Sequence, residues 1–231
     1  MQLEIFFEKE FFHWITTKAL AELRNSGRIG SSIEALADVG QIRFYFHIKN
    51  RYWKRKSTEI RKLVTKFSES NFTAALGNQG ETLVDAALPS VGFIPRARNV
   101  SEFNGVPWTR TGHNLDRAFE KDGVFYGTEI KNRLSYISRD ELYTKLEICD
   151  FLRIRPLFVA RMMPKSYIHE LHKRGGFALL MGRQFYPFGS GQFAAEVREK
   201  LNLPVDTPTR LADGTLQRLL NYHERSRPRR D

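Results

Sequence analysis

The stretch Glu120-Lys121-Asp122-Gly123-Val124-Phe125 limits what this chain can fold into more than any other. An Asp-Gly pair between two strand-forming runs signals a two-residue hairpin, because a type I′ turn needs positive φ at both central positions. With Asp122 and Gly123 at the tip, residues equally far from the turn face each other. Lys121 then opposes Val124, Glu120 opposes Phe125 and, further along, Asp116 opposes Glu129. A longer turn would shift this register by about a residue without separating the two carboxylates.

The second arm, Val124-Phe125-Tyr126-Gly127-Thr128-Glu129-Ile130-Lys131, is rich in residues that favour strands. Alternation of side chains puts Glu129 and Lys131 on one face, shared with Asp116, while Ile130 turns into the core. The plain reading is a solvated edge strand with an ordinary charge pair. Like charges opposed across a sheet are destabilising, however, unless a cation lies between them. Mg²⁺ takes oxygen ligands at about 2.0–2.1 Å, commonly one or two carboxylates with water and phosphate oxygens. Asp116 and Glu129 supply the carboxylates, the Ile130 carbonyl a third oxygen, and Lys131 a group to orient water and stabilise charge on a phosphate.

The surrounding pattern divides the chain into three regions, 1–72, 73–192 and 193–231. Residues 1–72 read as helical. Phe11, Phe12, Ile15, Ala19 and Leu23 recur at helical spacing, and Ile33, Leu36, Val39, Ile42 and Phe46 predict a second helix after the break at Asn25–Ser32. Residues 41–48 also fit a strand, and periodicity does not choose. Ser57 is a candidate N-cap for a third helix with Ile60, Leu63, Val64 and Phe67 on one stripe. From 73 onward the elements alternate as helix, three strands, helix, strand, helix, strand. The expected fold is therefore α/β, a mixed central sheet flanked by helices, with hairpin-linked strands first and crossovers to parallel strands afterwards. Residues 193–231 read as a helical extension with a basic, disordered end at 225–230.

A formal charge of +11 and a pI near 9.9 suit a polyanionic partner, of which nucleic acid is the commonest. The charge concentrates at 43–66, where Arg51, Lys54, Arg55 and Lys56 lie among Phe44, Tyr45, Phe46, Tyr52 and Trp53. Bases stack on such rings while cations track the backbone; a helix burying its aromatics and exposing its lysines has the same composition. One cysteine, Cys149, excludes an intrachain disulfide and a thiolate zinc cluster. No apolar stretch is long enough to span a bilayer, and the acids within residues 1–14 do not match a secretory signal. A cytoplasmic protein without membrane contact is expected, nucleoid-associated in a prokaryote.

Asp116 followed by Glu129-Ile130-Lys131, after a helix and a strand, resembles the PD-(D/E)XK nuclease superfamily of restriction endonucleases and Holliday-junction resolvases. The resemblance covers roughly residues 73–182, with Leu115 where a proline commonly precedes the aspartate. The pattern Gly77-x-x-Gly80-Glu81 looks closest to the resolvase-like and Mrr-like branches. The resemblance implies a restriction endonuclease-like core, Mg²⁺ (with Mn²⁺ as substitute) and hydrolysis of DNA to 5′-phosphate and 3′-hydroxyl ends. It implies metal binding by Asp116, Glu129 and Ile130, with Glu81 as an outer ligand through water and Asp85 one turn on. Duplex cleavage of the restriction type stands ahead of structure-selective cleavage, and a homodimer is expected by analogy. The reading from a different class is a non-catalytic nucleic-acid-binding module that keeps the fold. His113, just before Asp116, is placed to touch DNA. Lys145 is a candidate phosphate contact, although an ordinary surface lysine is the simpler reading. His169 and His172 lack an evident third metal ligand, and the glycine-rich run at 189–193 lacks the lysine of a phosphate-binding loop.

Overall fold

A computed structural model describes residues 2–36 and 39–226. The described chain forms two compact units, one running to Ala75 and including Gly189–Val205, the other comprising Leu76–Phe188 and the chain from Asp206. The segment read as a C-terminal extension is thus divided between them. The basic end from residue 227 lies outside the described residues.

The first unit opens with helices α1 (Gln2–Phe7) and α2 (His13–Asn25), followed by strands β1 (Ile29–Leu36) and β2 (Gly40–His47) and helix α3 (Trp53–Ser68). The helix expected through Ile33, Leu36 and Phe46 is therefore replaced by an antiparallel hairpin. Ile42, Phe44 and Phe46 alternate with polar or exposed positions, and this period of two prevails over the helical spacing. Gly30 faces Phe46 across the ladder, where a methyl group would lie 2.4 Å from the ring. That ring then stacks on Trp53 of α3, centroids 4.0 Å apart. Arg61 adds an ion pair from α3 to Glu34 of β1 at 2.8 Å. Ser57 is not an N-cap; it lies inside α3 and donates to the Lys54 carbonyl at 2.9 Å.

The second unit carries the sheet. Helix α4 (Ser70–Ser90) leads to β3 (Ile94–Val100), the short pair β4 (Glu102–Phe103) and β5 (Val106–Pro107), and the hairpin β6 (Leu115–Lys121) and β7 (Val124–Lys131). Helix α5 (Arg139–Leu152), β8 (Arg155–Ala160), α6 (Lys165–Lys173) and β9 (Phe177–Leu180) follow. The short strand β10 (Gln184–Phe185), helix α7 (Gly191–Leu201), which belongs to the first unit, the short strand β11 (Val205–Asp206) and helix α8 (Asp213–Ser226) complete the described chain. The five-stranded sheet runs β3-β6-β7-β8-β9, antiparallel through β7 and parallel beyond it. That switch is what a hairpin followed by two helical crossovers requires. Among the described residues, no helix is long and apolar enough to cross a membrane.

Both faces of the sheet are covered. Leu83, Val84, Ala87 and Leu88 of α4 pack with Phe119, Tyr126, Ile130, Leu157 and Val159, joined by Leu216 and Leu219 of α8. On the other face Ile148, Cys149 and Leu152 of α5 meet Leu115 and Ala118, and Leu142 and Leu146 meet Phe158 and Ala160. Burying each such leucine contributes roughly 1.5–3 kcal/mol. The approach of α5 to β7 is set at Gly127, where an added Cβ would lie 2.6 Å from Leu115, 2.7 Å from Ile154 and 3.1 Å from Cys149. Gly127→Ala should therefore destabilise the protein by about 1–3 kcal/mol through overpacking. Urea denaturation checks this, and an unchanged midpoint would mean that α5 can move away at no cost.

Candidate active site

The turn forms as its chemistry demands, with φ of +50° at Asp122 and +78° at Gly123. The ladder runs Lys121–Val124, Glu120–Phe125 and on to Arg117–Thr128. Asp116 and Glu129 are the next pair in that register. Here the Asp116 side chain crosses to β7, and its Oδ2 accepts the Ile130 N–H at 2.6 Å. The N–H and C=O of a strand residue point to the same side, so the Ile130 carbonyl is directed toward Asp116 as well.

Glu129 is fully buried. Its Oε1 lies 2.6 Å from Lys131 Nζ and its Oε2 lies 2.7 Å from Lys145 Nζ. Each oxygen is thus paired with an ammonium group. Lys131 Nζ also reaches Glu141 Oε1 at 2.8 Å, and Arg133 holds the other oxygen of Glu141 at 2.7 Å. Lys145 Nζ donates in addition to the Asn114 carbonyl. Glu141 and Lys145 are four residues apart on α5 and so project from one helix face. The helix is started by Ser138, whose hydroxyl accepts the Glu141 N–H at 3.2 Å. The Glu141 carboxylate turns to Lys131 and Arg133.

Burial raises the Glu129 carboxyl above the ordinary carboxylate range, and Asp116 raises it further; Lys131 and Lys145 only partly reverse this. Burial would also raise Glu141, but Lys131 and Arg133 outweigh it and hold that carboxyl below the ordinary value. Burial would lower Lys131, yet Glu129 and Glu141 prevail and keep the ammonium protonated well into alkali. The group as a whole is three carboxylates, Asp116, Glu129 and Glu141, interleaved with three cations, Lys131, Arg133 and Lys145.

The donors offered by Asp116, Glu129 and Ile130 are all oxygen, the set a hard divalent cation prefers. The two buried Glu129 oxygens, held by ammonium groups, are of the type that role needs. An ion on Glu129 would take the place of at least one ammonium, which gives the two lysines a defined relation to metal binding. Nitrogen and sulfur donors are not part of this group. The Cys149 thiol, fully buried behind it, is pushed far above its normal value by burial and is inert.

The remaining expected residues are distributed as follows. Glu81 is engaged by Arg117 Nη2 at 2.6 Å, and Asp85 by Arg117 Nε at 2.9 Å and by Arg98 at 2.9 Å. Arg117 Nη1 donates to the Asp116 carbonyl at 2.8 Å, so Glu81 is tied to Asp116 through this arginine. His113 is exposed and held by Thr111 at 3.2 Å. Arg51, Lys54, Arg55 and Lys56 are exposed around the start of α3, with Lys54 5.9 Å from the Trp53 ring centre. His172 stacks on Tyr222, centroids 5.2 Å apart, which accounts for it without a metal. The surface-lysine reading of Lys145 is corrected, because the packing of α5 at Gly127 buries it onto Glu129. Glu141 and Arg133 were not singled out by the sequence. The Ser138-x-x-Glu141 helix start was the available signal, and it reads as an ordinary cap.

A carboxyl raised above its unfolded value gives stability that is present below that unfolded value and lost as pH rises through the folded one. Ionised Glu129 beside Asp116 therefore works against the fold at neutral pH. Asp116→Asn keeps an acceptor for the Ile130 N–H and removes the repulsion. In EDTA at pH 7 it should raise stability by roughly 0.5–1 kcal/mol, with less gain near pH 4, and lower the Glu129 titration midpoint. Denaturation at the two pH values and carboxyl NMR check this. Loss of stability at pH 7 would show that the two acids do not interact. Comparisons with protein-family models, with curated proteins and with solved structures return no match, so the chemistry of this group is the guide to function.

Proposed function

We propose that the protein is a Mg²⁺-dependent DNA endonuclease with a restriction endonuclease-like core. The observation that carries this reading is the Asp116 carboxylate reaching the Ile130 N–H at 2.6 Å beside fully buried Glu129, with Lys131 on the same face. Asp116, Glu129 and the Ile130 carbonyl would hold the cation. When bound, it would supply Lewis-acid activation of the phosphate and of water. Lys131 stays protonated and so acts as a hydrogen-bond donor and charge stabiliser, orienting water and the phosphate oxygens rather than removing a proton. Glu141 holds that ammonium in place. Lys145, as a second ammonium at Glu129, balances the carboxylate and, with a cation bound there, would be available to a phosphate. The exposed cations of Arg51, Lys54, Arg55 and Lys56 suit the DNA backbone. Duplex cleavage of the restriction type is favoured over action on branched DNA, with a homodimer supplying two active sites.

One observation favours a non-catalytic DNA-binding module instead. Glu129 is already balanced by two lysines, a network that can stand as a structural ion cluster. Incubation with plasmid, branched DNA and RNA in Mg²⁺, Mn²⁺, Ca²⁺ or EDTA separates the two. The nuclease cuts only with Mg²⁺ or Mn²⁺; the module leaves DNA intact and binds it equally with or without metal.

Asp116→Ala and Lys131→Ala should each lower the cleavage rate by several orders of magnitude while circular dichroism shows a retained fold. Near-normal cleavage by Asp116→Ala would remove the site assignment. Changing Lys54, Arg55 and Lys56 together to Gln should flatten the slope of log K against log salt by roughly 2–3 units on duplex DNA, about 0.9 for each phosphate that is no longer neutralised. Cleavage at saturating enzyme should survive. An unchanged slope would mean that the start of α3 is only a solvated surface.

A further inference from the structure

At the other end of the same hairpin, the turn meets the last helix. His223 of α8 is fully buried. Its Nδ1 lies 2.9 Å from the Tyr126 hydroxyl and its Nε2 lies 3.1 Å from Asp122 Oδ2. Glu224 adds a second carboxylate, and one ligand atom from each of Asp122, His223 and Glu224 falls within 4.8 Å of the others.

We infer that Asp122, His223 and Glu224 form a binding site for a borderline transition-metal ion of the Zn²⁺ class, which ties α8 to the β6–β7 turn. Ligands at about 2.0–2.2 Å around a tetrahedral ion are separated by roughly 3.2–3.6 Å, close to the His223–Asp122 spacing. The imidazole is held as metal-binding histidines are, with its second nitrogen on a fixed partner. With Asp122 ionised and the imidazole neutral, Nε2 donates to Asp122 and Nδ1 accepts from Tyr126. For the metal to bind, the proton moves to Nδ1 and the Nε2 lone pair turns to the ion. Tyr126 serves both tautomers, because a hydroxyl both donates and accepts. Asp122 is fixed as well, in the left-handed conformation of a tight turn. One imidazole and two carboxylates leave a tetrahedral ion one position for water. The donor set separates this site from Asp116 and Glu129, which offer only oxygen and lie roughly 20 Å away along the strands at about 3.4 Å per residue. The inference does not depend on the nuclease reading.

The test is calorimetric titration of the full chain with Zn²⁺, melting curves with and without Zn²⁺, and visible absorption after Co²⁺ loading. In Asp116→Asn protein, where the other candidate site has lost a carboxylate, one equivalent should bind and raise the melting temperature, and Co²⁺ should give the intense absorption of a four-coordinate site. Asp122→Asn and Glu224→Gln should each weaken binding by at least about 10–100-fold, no less than the loss of an outer partner costs. Both variants should fold, since Asn suits the left-handed turn position and Glu224 is exposed. His169→Ala should bind as the parent does. Zn²⁺ binding that survives Asp122→Asn, that disappears in His169→Ala, or that is not detected in the parent would overturn the proposal. In that case the His223–Asp122 contact is a hydrogen bond alone.

Discussion

A carboxylate taken wholly out of water has to be compensated, and in this protein that carboxylate is Glu129. Leaving an isolated ion in the interior costs several kcal/mol even after relaxation, more than most single packing contacts return. The surroundings of Glu129 follow from that requirement. Two ammonium groups reach its two oxygens, one from its own strand and one from α5. The helix must therefore lie close to the sheet, which Gly127 allows, and its rotation must present Glu141 and Lys145 together. Asp116 then sits where it can only oppose the compensation. A structure built for stability alone would place an apolar side chain at 129. The cluster concentrates buried charge at this end of the hairpin.

The central layer was legible because its signals are local. A two-residue turn fixes a register without reference to the rest of the chain, so the pairing of β6 with β7 could be read from Asp122-Gly123 alone. Strands β8 and β9 are short apolar runs with no competing period, and helices α5 and α6 have clear stripes. The hairpin at 29–47 was not legible as such. Its apolar residues fit three-and-four spacing and alternation at once, and only the pairing of β1 with β2 decides between them. Of the site, Asp116, Glu129 and Lys131 could be found because two strands and one turn relate them. Lys145 and Glu141 arrive from a helix whose rotation depends on tertiary packing, and sequence spacing does not encode that. His223 lies 101 residues from its partner Asp122, and nothing local announces the contact.

Arg117 shows how one strand serves both faces. Its neighbour Asp116 turns its carboxylate to the Ile130 N–H of β7, while the Arg117 side chain turns to α4 and takes Glu81 and Asp85. Because Arg117 also donates to the Asp116 carbonyl, the aspartate is anchored from behind its own peptide. The acid on the helix before the first strand thus acts on the candidate site through an arginine. A carboxylate held this way has a short route to Asp116 but is already paired with a cation.

Charge balance gives the candidate site its last physical property. Three carboxylates and three cations leave it neutral as it stands, and a neutral cluster is the cheapest state for a buried group of ions. A divalent cation entering alone would leave a surplus of two positive charges in a poorly solvated place. A phosphodiester brings negative charge to the same spot, and the surplus falls. On the nuclease reading, cation and DNA therefore each favour the other, and by linkage the benefit must be the same in both directions. Lys131 is pinned between Glu129 and Glu141 and stays in either state, whereas Lys145 has a single carboxylate partner and is the group that can change sides. On that reading, the second lysine is what compensates the buried carboxylate when no cation is bound.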